Sequence, residues 1–425
     1  MESSSTSPRI VELAGKISAS VSQLQELLSV QGVPSPAFTE DSPERLPANT
    51  LHLQDAVLDA TTELHELLME PVRLIFKFCA TTNMVGIDAI SRFGFADVVP
   101  IGGRVSFGEI AKATGLDEPL VRRLLRHAMA RHIFYEPEPG MVAHTKMSKY
   151  LVEPSMKDFL GFGAREGWPA ATRMLDAIQK WPSSEETNHT GFSLVNNSDK
   201  SAFELLAADH ARAMRLQGGI DAHDHFSGWA ATDVVELYDW ASLGEAFVCQ
   251  AGGQRGDVAA VLASRFRNLK FLIQDMDKVI SGAEAEVPND LKGRIEFKSY
   301  DLFEPQSVQA DVYLLRLVFQ IRNDKDALKI LKAQVPALRT GAKILILEIV
   351  MPEPGAIPLW RDREMRAIDL AIGANFNGRN RYLSEWKALL AAADARFHLQ
   401  QVITPEGSLL STLEIVWDAP SSSEG

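Results

Sequence analysis

The sequence predicts an α/β fold, with a doubly wound, mostly parallel sheet in the C-terminal half and a long helical region before it. Three observations carry this expectation. Apolar runs AFVCQA, KFLIQD, IEFKSYD, ADVYLLRLVF, AKILILEIV and LSTLEIVW recur between residues 231 and 420, with helical spacing between them. Such near-continuous apolar strands suit a sheet covered on both faces, and the last run can add an antiparallel strand. The first run passes into the glycine-rich turn GGQRG, and the second ends on Asp275. Strand, glycine turn, helix and a second strand with a terminal acid form the nucleotide-binding half of such a sheet. The glycines admit close backbone approach, and the acid can accept two hydrogen bonds from a ribose.

Bulk properties narrow the classes. The chain has 425 residues, 46% of them hydrophobic and 23% charged, as expected of a soluble globular protein of two or three domains. A formal net charge of −13 opposes binding along a phosphate backbone, so no nucleic-acid partner is expected. Cys79 and Cys249 both lie in apolar runs and are expected to be buried thiols, with no disulfide and no metal site. The start MESSSTSPRI lacks an apolar signal core, and no run looks long enough to span a membrane. A cytoplasmic protein with no membrane partner is the expectation.

In chain order, residues 1–8 are polar and expected to be disordered. Residues 10–30 have helical spacing, and the proline-rich stretch 31–50 reads as a linker, so 1–50 forms a first block. Residues 51–155 form a second, helical block. Its apolar helices over 51–93 invite a second copy of the chain, and 94–150 read as helix, turn, helix and hairpin, as in a winged helix. Arg122, Arg123, Arg126 and His127 on that second helix raise a DNA-binding regulator as one class, although a solvated helix face is the commoner outcome of such a cluster. Residues 156–230 form a helical connector in which Phe162, Trp168, Met174, Phe192 and Met214 are either core or pocket lining. Residues 231–425 carry the sheet.

Several stretches resemble the fungal branch of the metal-independent, caffeate-type O-methyltransferases: IAKATGLDEPLVRRLLRHAMARHIFYEPEPGMVAHT, TGFSLVNNSD, YDWASLGE, GGQRG, NLKFLIQD, DLFEPQ, YLLRLVFQIRNDKDALKIL, MPEPG and NGRNRYLSEW. The resemblance covers roughly residues 60–420. It implies a Rossmann-like class I methyltransferase domain, a winged-helix segment serving dimerisation, and a homodimer interlocked through N-terminal helices. It also implies bound S-adenosylmethionine or S-adenosylhomocysteine. Gly252, Gly253 and Gly256 fall on the cofactor's glycine turn, Asp275 on the ribose acid, Asp301 and Phe303 beside the adenine, and Arg316 where a basic residue touches it. Two departures mark the turn, whose usual pattern is Asp-Val-Gly-Gly-Gly-x-Gly: Gln250 stands for the acid and Gln254 for the third glycine.

The chemistry positions depart further. The family removes the substrate proton with a His in a Leu-His-Asp-Trp context, oriented by an Asp and a Glu. On this alignment the His is Gln320, its Asp neighbour is Ile321, the orienting Asp remains as Asp369, and the orienting Glu is Asn380. An amide is no base, and losing a general base removes about 10²–10⁴-fold of rate. Asp369, His144 and His210 are the candidates for a replacement base, while Phe162, Trp168, Met365 and Phe376 are the expected pocket lining. The pattern of loss resembles methyltransferase-like pericyclases of fungal natural-product pathways. A small-molecule, polyketide-type intermediate would then be cyclised with Gln320 donating to a carbonyl, Asn380 supporting it, Asp369 orienting them or assisting a dehydration, and the cofactor not consumed. The alternative is a working O-methyltransferase with an altered base, and a winged-helix regulator is a third.

Overall fold

The computed structural model describes residues 7–80 and 82–418, so the expectation for residues 1–8 falls mostly outside it. Contacts group the chain into two units that interleave in sequence instead of following the four consecutive blocks. The first holds the chain up to Trp168 with Leu206–Ala222 and Gly355–Glu364; the second holds Pro169–Leu205, His223–Pro354 and the chain from Met365 on.

In the first unit, helix α1 (Arg9–Val30) packs on α2 (Leu51–Leu68). The apolar stretch that follows breaks into α3 (Pro71–Cys79), started by its proline, and α4 (Asn83–Phe93), closed by left-handed Gly94. By length and mean hydropathy Pro71–Phe93 could cross a membrane, which corrects the expectation that no run is long enough. The two helices behave differently, however. The second buries Gly86, Ala89 and Ile90, whereas α3 buries nothing and exposes Val72, Ile75, Phe76 and Phe78. Cys79 is exposed with it, so only Cys249 is the buried thiol expected. On α3 the apolar spacing faces outward, as an uncovered face.

Strand β1 (Arg104–Ser106) pairs antiparallel with β2 (Met141–Ala143), and α5 (Phe107–Thr114) and α6 (Glu118–Met129) lie between them in sequence. Ser106 and Glu109 cap α5 reciprocally, and left-handed Gly115 ends it. Ile90, Phe95, Phe107, Ile110, Val121, Leu125, Phe134 and Val142 form the core of this unit. On α6, Arg122 pairs with Glu118 and Arg126 with Glu136, and both guanidiniums lie over the Phe107 ring at 5.4 and 5.5 Å. That part of the basic cluster is internally neutralised. It matches the solvated face and not a phosphate-binding one.

The second unit is built on seven strands: β3 (Ala246–Ala251), β4 (Leu269–Asp275), β5 (Ile295–Ser299), β6 (Val312–Arg316), β7 (Lys343–Glu348), β10 (Phe397–Ile403) and β11 (Ser411–Trp417). Their order is β10-β11-β7-β6-β3-β4-β5, parallel from β7 to β5, with β11 antiparallel to both neighbours. Sequence reading missed β10, and β8 (Val350–Met351) and β9 (Arg381–Tyr382) form a small parallel pair. Strand order reverses between β3 and β6, and that switch point is where loops diverge and leave room for a ligand. Helix α7 (Asp257–Arg265) follows the glycine turn and α8 (Asp324–Gln334) follows β6; α9 (Leu359–Phe376) and α10 (Leu383–Ala393) precede the final hairpin.

Candidate functional site

The glycine turn closes on itself. Gly252 and Gly253 both donate their N–H to the Gln274 carbonyl, at 2.8 and 3.2 Å. A Cβ on Gly252 (φ +74°) would meet Val318 Cγ2 at 2.9 Å, and one on Gly253 would meet Ile273 Cγ2 at 2.8 Å. The turn therefore packs against the loop after β6 only because side chains are missing there. Gln254, standing for a glycine, sits at φ +51°, which costs about 1 kcal/mol for such a residue. Its N–H donates to Asp275 Oδ2 at 2.9 Å, and the Met276 N–H donates to Oδ1 at 2.8 Å. A carboxylate has about four acceptor sites, so Asp275 is aimed by backbone and retains lone pairs for a ribose. Gln250 is buried, and its Oε1 has no hydrogen-bond partner among the described residues, leaving an acceptor beside the turn for an amino group.

The other expected cofactor positions converge on the same strand ends. The Tyr300 N–H donates to the Asp275 carbonyl, and Leu302 Cδ1 lies 3.7 Å from where a Gly252 Cβ would be. This brings Asp301 and Phe303 to the turn, with Asp301 Oδ1 accepting the Phe303 N–H at 3.0 Å. Arg316, at the end of β6, donates through Nη2 to the Trp229 carbonyl, and its Nε has no partner among the described residues. Sequence gave no sign of Trp229 or of His223, stacked on it at 4.2 Å. Burial, with the Arg316 charge, pushes the His223 imidazole down to about 4, so it is neutral at pH 7.

Past β6 the chain turns sharply at left-handed Leu317. The corner that follows is held on three sides. The Phe319 N–H donates to Glu348 Oε1 at 2.6 Å; buried Arg381 donates to the carbonyls of Phe319 and Arg322 at 3.0 and 2.9 Å; Gly378 lies so close that a Cβ would be 2.4 Å from the Gln320 carbonyl oxygen. Gln320 is 8% exposed and its Oε1 has no partner; Asn380 is 5% exposed and neither side-chain polar atom has one. Native interiors leave few such atoms unpaired, and each costs about 1–3 kcal/mol.

Asp369 Oδ1 accepts the Asn380 backbone N–H at 2.6 Å, and burial raises its pKa. The acid beside Gln320 is Glu348, which sequence reading passed over as the end of an apolar strand. It is 1% exposed, its Oε2 has no partner, and burial pushes its pKa up to about 7. The one available signal was a lone carboxylate closing the run KILILE.

The remaining candidates separate. Met365 is buried on α9, and Phe376 near its end stacks on Phe203 with centroids 5.0 Å apart, both in the second unit. Phe162 and Trp168 belong to the first unit and are partly buried there. Met174 packs its methyl against Gly373, Phe192 is fully buried, and Met214 is 55% exposed. His144 is a satisfied core residue of the first unit, bonded to Ser148 Oγ and the Val99 carbonyl, and His210 is an exposed residue at a helix start. Arg322, at the tryptophan position of the family run, was not singled out at all. Its guanidinium lies 4.7 Å from the Phe203 ring centroid and 5.6 Å from that of Phe303.

A doubly wound sheet with a glycine turn, an aimed ribose acid and a second polar cluster across its switch point defines a class I methyltransferase fold. Residues 185–396 match the O-methyltransferase domain family. O-methyltransferase PaMT of Phomopsis amygdali is 43% identical over 414 residues, covering 97% of each chain. The grayanic acid biosynthesis cluster O-methyltransferase of Cladonia grayi is 32% identical over 421 residues, covering 98% of this chain and 89% of that one. The chain belongs to the O-methyltransferase family. Among solved structures, OxaC in complex with SAH and oxaline superposes with a TM-score of 0.78 at 19% identity, over 97% of this chain and 100% of that one. LepI in complex with SAM gives 0.75 at 22% identity, over 96% and 100%, and a separate structure described as a pericyclic reaction enzyme gives the same values.

Proposed function

We propose that this chain binds S-adenosylmethionine or S-adenosylhomocysteine and catalyses a cyclisation, pericyclic or dehydrative, of a polyketide-type intermediate without net methyl transfer. The observation that carries this reading is the Gln320 corner. An amide with an unpartnered Oε1 stands where a proton acceptor is expected, the Asn380 amide has no partner at either atom, and no imidazole of the same unit bonds Glu348 among the described residues. The glycine turn, Asp275 and the free Gln250 acceptor fit the cofactor's amino acid and ribose. Bound as the sulfonium, it supplies a fixed positive charge and a transferable methyl.

In a pericyclic step bonding electrons reorganise within the substrate and no proton leaves, so a donor serves where a base is not needed. The Gln320 N–H and that of Asn380 would bond a substrate carbonyl as negative charge grows on its oxygen. One well-placed donor contributes about 10²–10³-fold. Fixing a flexible polyene near its reactive conformer contributes further.

A second reading, O-methylation, is supported by the names of the relatives and by Glu348, whose carboxyl titrates at about 7 and could take a hydroxyl proton. The purified protein, given SAM and the organic extract of a producing culture, separates the two. A product isomeric with its precursor, or lighter by one water, with no S-adenosylhomocysteine formed, supports the first. Methylated product with equimolar S-adenosylhomocysteine establishes the second.

A homodimer is part of the same proposal. Val72, Ile75, Phe76 and Phe78 on α3 leave an apolar face that a second copy would cover. Light scattering of the native chain and of Phe76→Glu tests it; a native monomer removes it.

A further inference from the structure

Resting on the reading of the Gln320 corner as the substrate end of the site, we infer that Arg322 is a specificity-determining residue. It binds a planar oxyanion of the substrate, a carboxylate or a conjugated enolate. Arg322 stands two residues beyond Gln320, and its carbonyl is pinned by Arg381 at 2.9 Å. Its side chain runs between two aromatic rings, Phe203 at 4.7 Å and Phe303 at 5.6 Å, and Phe203 is backed by Phe376 at 5.0 Å.

This cation has aromatic faces but no anion. Its Nε is buried without a hydrogen-bond partner, and among the described residues no carboxylate pairs with the guanidinium. Asp301 and Asp326 act on it only at longer range, and burial lowers its affinity for its proton. By contrast, the buried guanidinium of Arg381 in the same unit has Asp324 at 2.8 Å and three backbone carbonyls. A desolvated, unpaired guanidinium is unfavourable, and cation–π contacts return only about 0.5–2 kcal/mol. Its donors form a rigid fork that matches two oxygens in one plane. Phe203 and Phe303 leave such an anion flat, apolar surroundings, suited to a conjugated acid more than to a phosphate. Position also matters: Phe303 stands beside Asp301 at the cofactor end, while Phe203 and Phe376 lead toward α9, so the fork lies between the two ends of the site.

The test uses the full chain saturated with S-adenosylhomocysteine and two probes of one shape, 2-naphthoate and the neutral 2-naphthamide, with binding read by calorimetry. The native protein is expected to prefer the anion by about tenfold or more, as a charge-assisted pair requires. Arg322→Gln should bring the two within about twofold while S-adenosylhomocysteine affinity and circular dichroism stay unchanged. Arg322→Lys should retain part of the preference. Equal binding of both probes by the native chain overturns the inference, as does a preference that survives Arg322→Gln. A loss of stability in Arg322→Gln with the native preference absent would assign the residue a packing role only. Failure of the native chain to bind S-adenosylhomocysteine strikes the cofactor reading instead, and the probe comparison is then run without it.

Discussion

The two ends of the switch point are built in opposite ways. At the end of β3 the backbone N–H groups are engaged, Gly252 and Gly253 on Gln274 and Gln254 and Met276 on Asp275, and the Gln250 Oε1 is left open. At the end of β6 the backbone is equally fixed, by Glu348, Arg381 and close contact with Gly378, yet the side chains of Gln320, Asn380 and Glu348 retain open hydrogen-bonding atoms. In the first region the main chain aims the Asp275 carboxylate, and the close approaches of Gly252 and Gly253 leave no room for side chains. The second holds a rigid frame whose side chains can be exchanged without disturbing it.

Four substitutions break or sharpen that contrast. The largest effect is expected from Gly378→Ala, whose Cβ would lie 2.4 Å from the Gln320 carbonyl oxygen. Backbone must move, so chemical denaturation should show a loss of about 3 kcal/mol or more, with turnover abolished. Gln320→Ala leaves the frame intact. Its melting temperature and S-adenosylhomocysteine affinity should stay near native, while cyclisation falls about 10²–10³-fold. An unchanged rate would remove Gln320 from the chemistry.

Glu348→Gln addresses the buried acid. Its folded pKa, about 7, lies above its unfolded value, so the folded state binds the proton more tightly. Its contribution is therefore most favourable below the unfolded value and is lost as pH rises through about 7. Relative to Glu348→Gln, the native protein should lose up to about 3 kcal/mol between roughly pH 4.5 and 7.5. Parallel stability curves for the two proteins would contradict the buried-acid assignment. The smallest effect belongs to Asp275→Ala: S-adenosylhomocysteine binding should weaken about 10–100-fold by calorimetry, as two ribose hydrogen bonds are lost. Stability should fall only slightly, because Gln254 and Met276 can donate to water.

Much of the second unit was legible because its strands are buried on both faces. Runs such as VYLLR and KILILE have no other plausible fate, and the glycine turn and Asp275 follow from strand ends. Strand β10, FHLQQVI, was missed because it lies at the sheet edge and carries polar residues at exposed positions, so it shows no apolar run. Glu348 was hidden by position, since a carboxylate ending an apolar strand looks like the start of a loop. The Phe203–Arg322–Phe303 arrangement joins three distant segments, and no spacing rule reaches across them. Cys79 was misread because helical periodicity marks an apolar face without saying what covers it. The interleaving of the two units was invisible for a related reason: apolar pattern identifies elements, not their companions.

Arg381 also sets an order of assembly. The carbonyls of Phe319 and Arg322 receive their shared donor from a segment made well after them, whereas the backbone N–H groups of Gly252, Gly253 and Gln254 find their acceptors by Asp275. On the ribosome, a chain halted between these points would have the residues of the glycine turn but not the donor that fixes the Gln320 corner. Shortened chains ending before Arg381 should fail to fold, because they also lack β10, β11 and the Trp386, Leu413 and Ile415 part of the core.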